Sequence, residues 1–380
     1  MKILIAPDSF KESLKASEVA NAIEEGVKMA IPDAECICVP MADGGEGTVD
    51  ALVHATGGTI EKVTVRDPLM RQVDSFFGIL GDGKTAVIEM AAASGLELLK
   101  EDERNPMETT TYGTGQLIKA ALDKSCRTLV IGIGGSATND GGAGMAQALG
   151  IRLLDKKMQS IGLGGGSLDH LANIDLVGLD ERIENTKIIV ASDVNNPLCG
   201  ENGASNVYGP QKGATHEMIK ILDENLNLFG KLLEEKYHIK IRELPGAGAA
   251  GGLGAGLVAF LHAELQPGFE IVKDITQLED LVQRADLVIT GEGRMDKQTM
   301  YGKTPYGVAG LAKKYQKPVI GISGTLGEDY QVLFQEGFDV LISIIDKPMS
   351  LESALGNASE MLKFASFNLL RTVKIGSGIK

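Results

Sequence analysis

Apolar residues follow two rhythms along this chain. From the amino terminus, short apolar runs alternate with stretches whose apolar positions recur every three or four residues. That pattern predicts a strand over 2–6, a helix over 16–30, a strand over 35–40, a helix over 46–56 and a strand over 59–65. The carboxy-terminal part repeats it, with strands over 287–290, 318–322 and 340–345, each followed by a helical segment, the last over 350–371. A βαβαβ alternation builds a parallel sheet covered by helices on both faces. The fold class is therefore α/β, a Rossmann-like doubly wound parallel sheet made by residues 1–65 and 266–380.

Between these ends the rhythm changes. Runs over 73–80 and 85–90 are joined by Gly81-Asp82-Gly83-Lys84, an antiparallel hairpin with a glycine-rich turn. A strand over 128–133, a helix over 140–149, several short strands to residue 192 and a long helix over 215–237 follow. A glycine-rich stretch over 246–256 then leads into a helix over 257–264. Hairpins do not belong in a doubly wound sheet, so residues 66–265 read as a second, mixed α/β domain inserted into the first.

Composition narrows the function classes. The 380 residues carry a net charge of −14 without a Lys/Arg block, which argues against nucleic acid or an anionic membrane as partner. The longest uncharged stretch, 244–261, holds Pro245 and many glycines and does not suit a bilayer helix. Four cysteines in no disulfide or C-x-x-C pattern fit a reducing cytoplasm. The 48 glycines are a marked excess, and several concentrate in loops.

Three of those loops match ligand-binding patterns. Residues 78–85 satisfy G-x-x-x-x-G-K-[ST], but the residues after Thr85 read as strand, whereas a phosphate loop must open a helix there. Gly246-Ala-Gly248-Ala-Ala-Gly251 matches a dinucleotide fingerprint and follows a strand-like run over 238–244. Without a βαβ continuation, anion contact, tight packing and a dinucleotide site all stay open. The third loop, 132–142, ends a buried strand. There Gly134 and Gly135 expose backbone N–H groups, and Ser136, Thr138 and Asn139 add polar side chains, an arrangement suited to a phosphate or carboxylate.

Ligands of open α/β sheets collect beyond the carboxyl ends of strands. Acidic residues stand at four such places: Asp8 in Pro7-Asp8-Ser9-Phe10-Lys11, Asp43 and Glu46 after the second strand, Asp193 after 188–192, and Glu292 with Asp296 after 287–290. Lys11, Arg294, Lys297 and Lys303 are the nearby cations, Lys303 lying in Gly302-Lys303-Thr304-Pro305 at a helix start. Carboxylates for Mg²⁺, glycine-rich backbone for phosphate and cations for developing charge are the parts of phosphoryl transfer. The five histidines form no metal-like cluster, and no serine has a G-x-S-x-G setting.

The chain resembles the class I glycerate kinases. The resemblance is carried in order by 7–11, 42–48, 86–91, 134–142, 192–198, Gly209-Pro210-Gln211-Lys212-Gly213-Ala214, 245–252 and 291–305. It departs from the family pattern at Met70, where members often carry glycine. The resemblance implies ATP-dependent, Mg²⁺-requiring phosphorylation of D-glycerate, with 2-phosphoglycerate favoured over 3-phosphoglycerate, on two α/β domains with the site in the cleft between them.

Beside that resemblance we assign expected roles. Asp193 or Asp8 is the base or a metal ligand, Lys11 and Arg294 offset phosphate or carboxylate charge, and Glu292 and Asp296 hold Mg²⁺. Ser9, Asp43, Glu46, Gly134, Gly135, Ser136, Asn139, Lys303 and Thr304 bind substrate or nucleotide. Two rivals stand beside this reading. One is a nicotinamide-dependent hydroxy-acid dehydrogenase, resting on the 246–251 fingerprint. The other is a sugar-acid binding protein without catalysis.

Overall fold

A computed structural model describes residues 1–300, 303–376 and 378. Gly302, the first residue of the expected Gly302-Lys303-Thr304-Pro305 motif, lies outside the described residues. The chain divides into two compact units: Met1–Asp43, Asp50–Gly57 and Phe269–Lys380 form the first, and Gly44–Val49 with Gly58–Gly268 form the second. Among the described residues no helix is long and apolar enough to cross a membrane.

The first unit holds a five-stranded, all-parallel sheet. Its spatial order is Val340–Ser343, Val319–Ser323, Leu287–Thr290, Lys2–Ile5 and Glu35–Cys38. In chain order this is 2-1-3-4-5, one of the two common doubly wound arrangements. Successive residues Ile3, Leu4 and Ile5 are all buried, as a parallel strand covered on both faces requires. On one face the helix Ala16–Ala30 turns Val19, Ala20, Ile23 and Val27 inward and packs along the final helix, Ala358–Gly376. The helical segment expected over 350–371 is in fact two helices, Leu351–Gly356 and Ala358–Gly376.

The second unit is built on a six-stranded sheet in the order Glu264–Gln266, Lys187–Ala191, Thr128–Gly132, Thr85–Glu89, Gln72–Ile79 and Thr59–Arg66. The first four strands are parallel and the last two antiparallel. The strand we expected to complete the βαβαβ unit of the first sheet is thus the edge of the second. Thr59–Arg66 pairs along its full length with Gln72–Ile79. Its pattern explains why: most of its residues are exposed or half-buried, as suits an antiparallel edge and not a fully covered parallel strand. The intervening turn is tied by Asp67, whose Oδ1 accepts from the amides of Leu69 and Arg71. Met70 in that turn has φ +65°, the backbone region that glycine enters most easily.

Residues 81–84 form the expected hairpin turn, with Asp82 accepting from the amides of Lys84 and Thr85 and from the Thr85 hydroxyl. The run over 238–244 is not a strand; it holds only the short 3₁₀ turn Ile241–Glu243. The helix expected from 257 starts earlier, spanning Ala249–Leu261, and is broken by left-handed Ala250, Gly251 and Gly252. A Cβ on Gly251 would stand 1.9 Å from the Thr138 carbonyl oxygen, and one on Gly248 would stand 2.2 Å from that of Pro197. The fingerprint glycines are therefore needed for close packing of backbone on backbone, and the dehydrogenase reading loses the feature it rested on.

Candidate active site

The order 2-1-3-4-5 reverses direction between Lys2–Ile5 and Leu287–Thr290, and the crevice at such a reversal is where doubly wound sheets bind ligands. Register puts two acidic loops side by side there. Ile5 pairs with Ile289, and the Asp8 amide donates to the Gly291 carbonyl at 2.8 Å. A cavity of about 530 Å³ opens at this point, lined by Asp8, Ser9, Lys11, Asp43, Glu292, Arg294 and Lys303 and by an apolar wall that includes Phe10, Ile344, Leu355 and Met361. Seven expected site residues thus meet in one cavity within the first unit.

The electrostatics of the cavity are those of crowded carboxylates. Burial, reinforced by Asp43 and more weakly by Glu292, pushes the Asp8 carboxyl up to about 7, although the Ser9 amide donates to its Oδ1 at 2.6 Å. Burial also raises Glu292, against the pull of its partners: Lys303 Nζ donates to Oε2 at 2.9 Å and the Thr299 hydroxyl to Oε1 at 2.8 Å. Asp296 faces elsewhere. Its Oδ2 takes Arg294 Nε at 2.9 Å and its Oδ1 takes the Gln298 amide at 2.8 Å, so it orients Arg294. Thr304, at the start of the helix Thr304–Lys314, is fully buried beside Asp8. Its hydroxyl leans toward the Asp8 carboxylate and offsets part of the rise, although the contact lacks full hydrogen-bond geometry.

Among the described residues no group of three or more His, Cys, Asp or Glu side chains is arranged to enclose a metal ion. Mg²⁺ does not need such a cage, since it is held by one or two carboxylates, water and substrate phosphates. The donor set here fits that habit: hard oxygens from mutually repelling carboxylates, with the Thr304 hydroxyl beside Asp8.

The other expected residues belong to the second unit. Asp193 is exposed and accepts from the Gly268 amide at 3.0 Å. Glu46 is exposed. Gly134 and Gly135 are exposed at the end of Thr128–Gly132, whereas Ser136 and Asn139 are buried just beyond. Asn139 donates to the Ser205 hydroxyl at 3.0 Å, and Asp140 knots the loop by accepting from Thr110, Thr111, Gly142 and Gly144.

Sequence reasoning passed over two features. Lys212 stands in the segment 209–214 that carries the resemblance but has no expected role there, and it is buried against Ser136. The apolar wall draws Leu355 and Met361 from the last two helices, where such residues serve equally well as ordinary helix core.

Residues 3–374 match the family model described as Glycerate kinase family. The chain belongs to that family. It is 54% identical to a Glycerate kinase of Bacillus subtilis over 375 residues, covering 99% of this chain and 98% of the relative. It is 53% identical to a Glycerate 2-kinase of Escherichia coli over 376 residues, covering 99% of each. A crystal structure described as a glycerate kinase 2 from Salmonella typhimurium LT2 superposes with TM-score 0.92 at 52% identity, covering 100% of both chains. The family, the α/β fold class and an enzyme as the kind of protein all agree with the resemblance read from the sequence.

Proposed function

We propose that this chain transfers the terminal phosphoryl group of ATP to a hydroxyl of D-glycerate, with 2-phosphoglycerate favoured as product, in the cytoplasm. The observation that carries the reading is the meeting of Asp8, Asp43 and Glu292 with Lys11, Arg294 and Lys303 in a cavity that also has an apolar wall. A nucleoside triphosphate has that dual character: a charged phosphate chain and a flat base that prefers an apolar surface.

Glu292, with the Thr304 hydroxyl, would hold Mg²⁺; Asp296 supports the site by holding Arg294. Bound there, Mg²⁺ would neutralise charge on the phosphates. Lys11, Arg294 and Lys303 offset charge on the transferred group. Asp8 is the better of the two expected bases, because a carboxyl poised at about 7 can hold and release a proton near neutrality. Asp193 already gives an oxygen to the Gly268 amide.

The test is turnover of D-glycerate with Mg²⁺ and ATP, followed by ADP release, with ³¹P NMR of the product. Glycerate-dependent ADP release and a 2-phosphoglycerate signal are expected. Reduction of NAD by glycerate without ADP release would restore the dehydrogenase, tight glycerate binding without turnover would restore the binding protein, and a 3-phosphoglycerate signal would overturn the regiochemistry.

A further inference from the structure

Lys212 is only 1% exposed. Its ammonium donates to Ser136 Oγ at 2.8 Å and to the Thr138 carbonyl at 2.7 Å, which uses two of its three donors. Among the described residues it has no ion-pair partner. Asp140 acts on it from a distance, with its carboxylate already committed to Thr110, Thr111, Gly142 and Gly144. A buried charge without a counter-ion is costly, and it is tolerated where an anion completes it.

The loop in front of Lys212 is unfinished in the same sense. The buried Thr138 hydroxyl has no hydrogen-bond partner, and the equally unpartnered Asn139 side-chain oxygen is an acceptor that suits a hydroxyl donor of the acid substrate. The amides of Gly134, Gly135 and Ser136 make no hydrogen bond among the described residues. Because Lys212 donates to the Ser136 oxygen, the serine's own proton points away from the lysine. Ser136 is 6% exposed and stands next to exposed Gly134 and Gly135.

We propose that residues 134–139, with Lys212 behind them, form the receptor for the carboxylate of the acid substrate. The ligand would rest on the amides of Gly134 and Gly135 and on the Ser136 hydroxyl, and Lys212 acts through Ser136 as a positioning residue. The Lys212 ammonium is a compact point charge, which suits a single anionic group such as a carboxylate. Burial lowers Lys212 to about 7, and an anion bound in front of it would restore the charged form. The inference rests on the reading that an organic acid is the substrate.

The experiment compares D-glycerate with its neutral amide, glyceramide, by calorimetry on the full chain with Mg²⁺ and the non-hydrolysable β,γ-imido analogue of ATP. The parent should prefer glycerate. Lys212→Met should cut that preference about tenfold to a hundredfold, and Ser136→Ala by a smaller factor, in line with loss of a charge-assisted hydrogen bond. In turnover, KM for glycerate should rise while KM for ATP stays level. Ser136→Ala keeps the test decisive if Lys212→Met does not fold. An unchanged preference in Ser136→Ala and in any folded Lys212→Met, or a rise in KM for ATP alone, overturns the carboxylate site and leaves the kinase reading standing. Failure of the parent to bind glycerate overturns both.

Discussion

Asp8 is the residue on which most of the proposed chemistry depends, and its titration gives two readouts. Its carboxyl stands at about 7 in the folded chain against 3.8 for the free group. The native state therefore holds a proton that the unfolded state releases across this window, and stability falls as pH rises from about 4 to about 7. Asp8→Asn removes that penalty. In the metal-free protein the variant's melting temperature should gain on the parent's through this range and hold the gain above it, as thermal melts at a series of pH values would show. The same substitution should lower turnover by about 10²-fold or more, the loss typical of a missing acid–base group. A variant that is no more stable at pH 8 than the parent would mean that burial and the neighbouring carboxylates do not raise Asp8.

At the scale of elements, the first unit depends on a close crossing of two helices. Gly26 lies in the middle of Ala16–Ala30, and a Cβ there would stand 2.3 Å from the Lys363 carbonyl oxygen and 2.7 Å from Ser366 Cβ. Alanine favours a helix over glycine by about 1 kcal/mol, whereas forcing packed elements apart costs about 1–3 kcal/mol. Gly26→Ala should accordingly destabilise the protein in urea unfolding, and a gain in stability would show that the helices have room to separate. The edge strand Thr59–Arg66 teaches a related lesson: local alternation announced a strand but not its sheet. The helices and parallel strands were legible because amphipathic period and apolar run are local properties. The partner of an edge strand is set by a turn and a register, here the Asp67 turn.

Among the described residues, one large hydrophobic core of each unit shares no residue with the other. One runs from Val65 to Ala263 in the chain, and the other is assembled from residues 3–34 and 287–370. The second unit is thus nearly contiguous, while the first cannot be completed until the carboxy-terminal strands exist. A fragment spanning 58–268 should fold by itself and unfold cooperatively by circular dichroism, whereas residues 1–57 alone should remain unfolded. A fragment of 58–268 without a cooperative transition would mean that the second core depends on the first unit. Net charge acts at this scale too: with −14 overall, phosphate must be met locally, and the cavity supplies Lys11, Arg294 and Lys303 for that.

What the sequence determined by itself was everything that depends on neighbours along the chain: the α/β alternation, the hairpin at 81–84, the glycine loops, and the acidic residues placed after strands. Even the family could be read from segments in order, because each segment keeps its own spacing. Only the tertiary structure decided which of those acidic residues share a cavity. Asp8, Asp43 and Glu292 do, by the pairing of strands 284 residues apart, as between Ile5 and Ile289; Asp296 turns to Arg294, and Asp193 to Gly268. The structure alone also separated Lys212 from other lysines, since desolvation comes from atoms distant in sequence. Spacing records where a charge sits on the chain, but its energy is set by what folds around it.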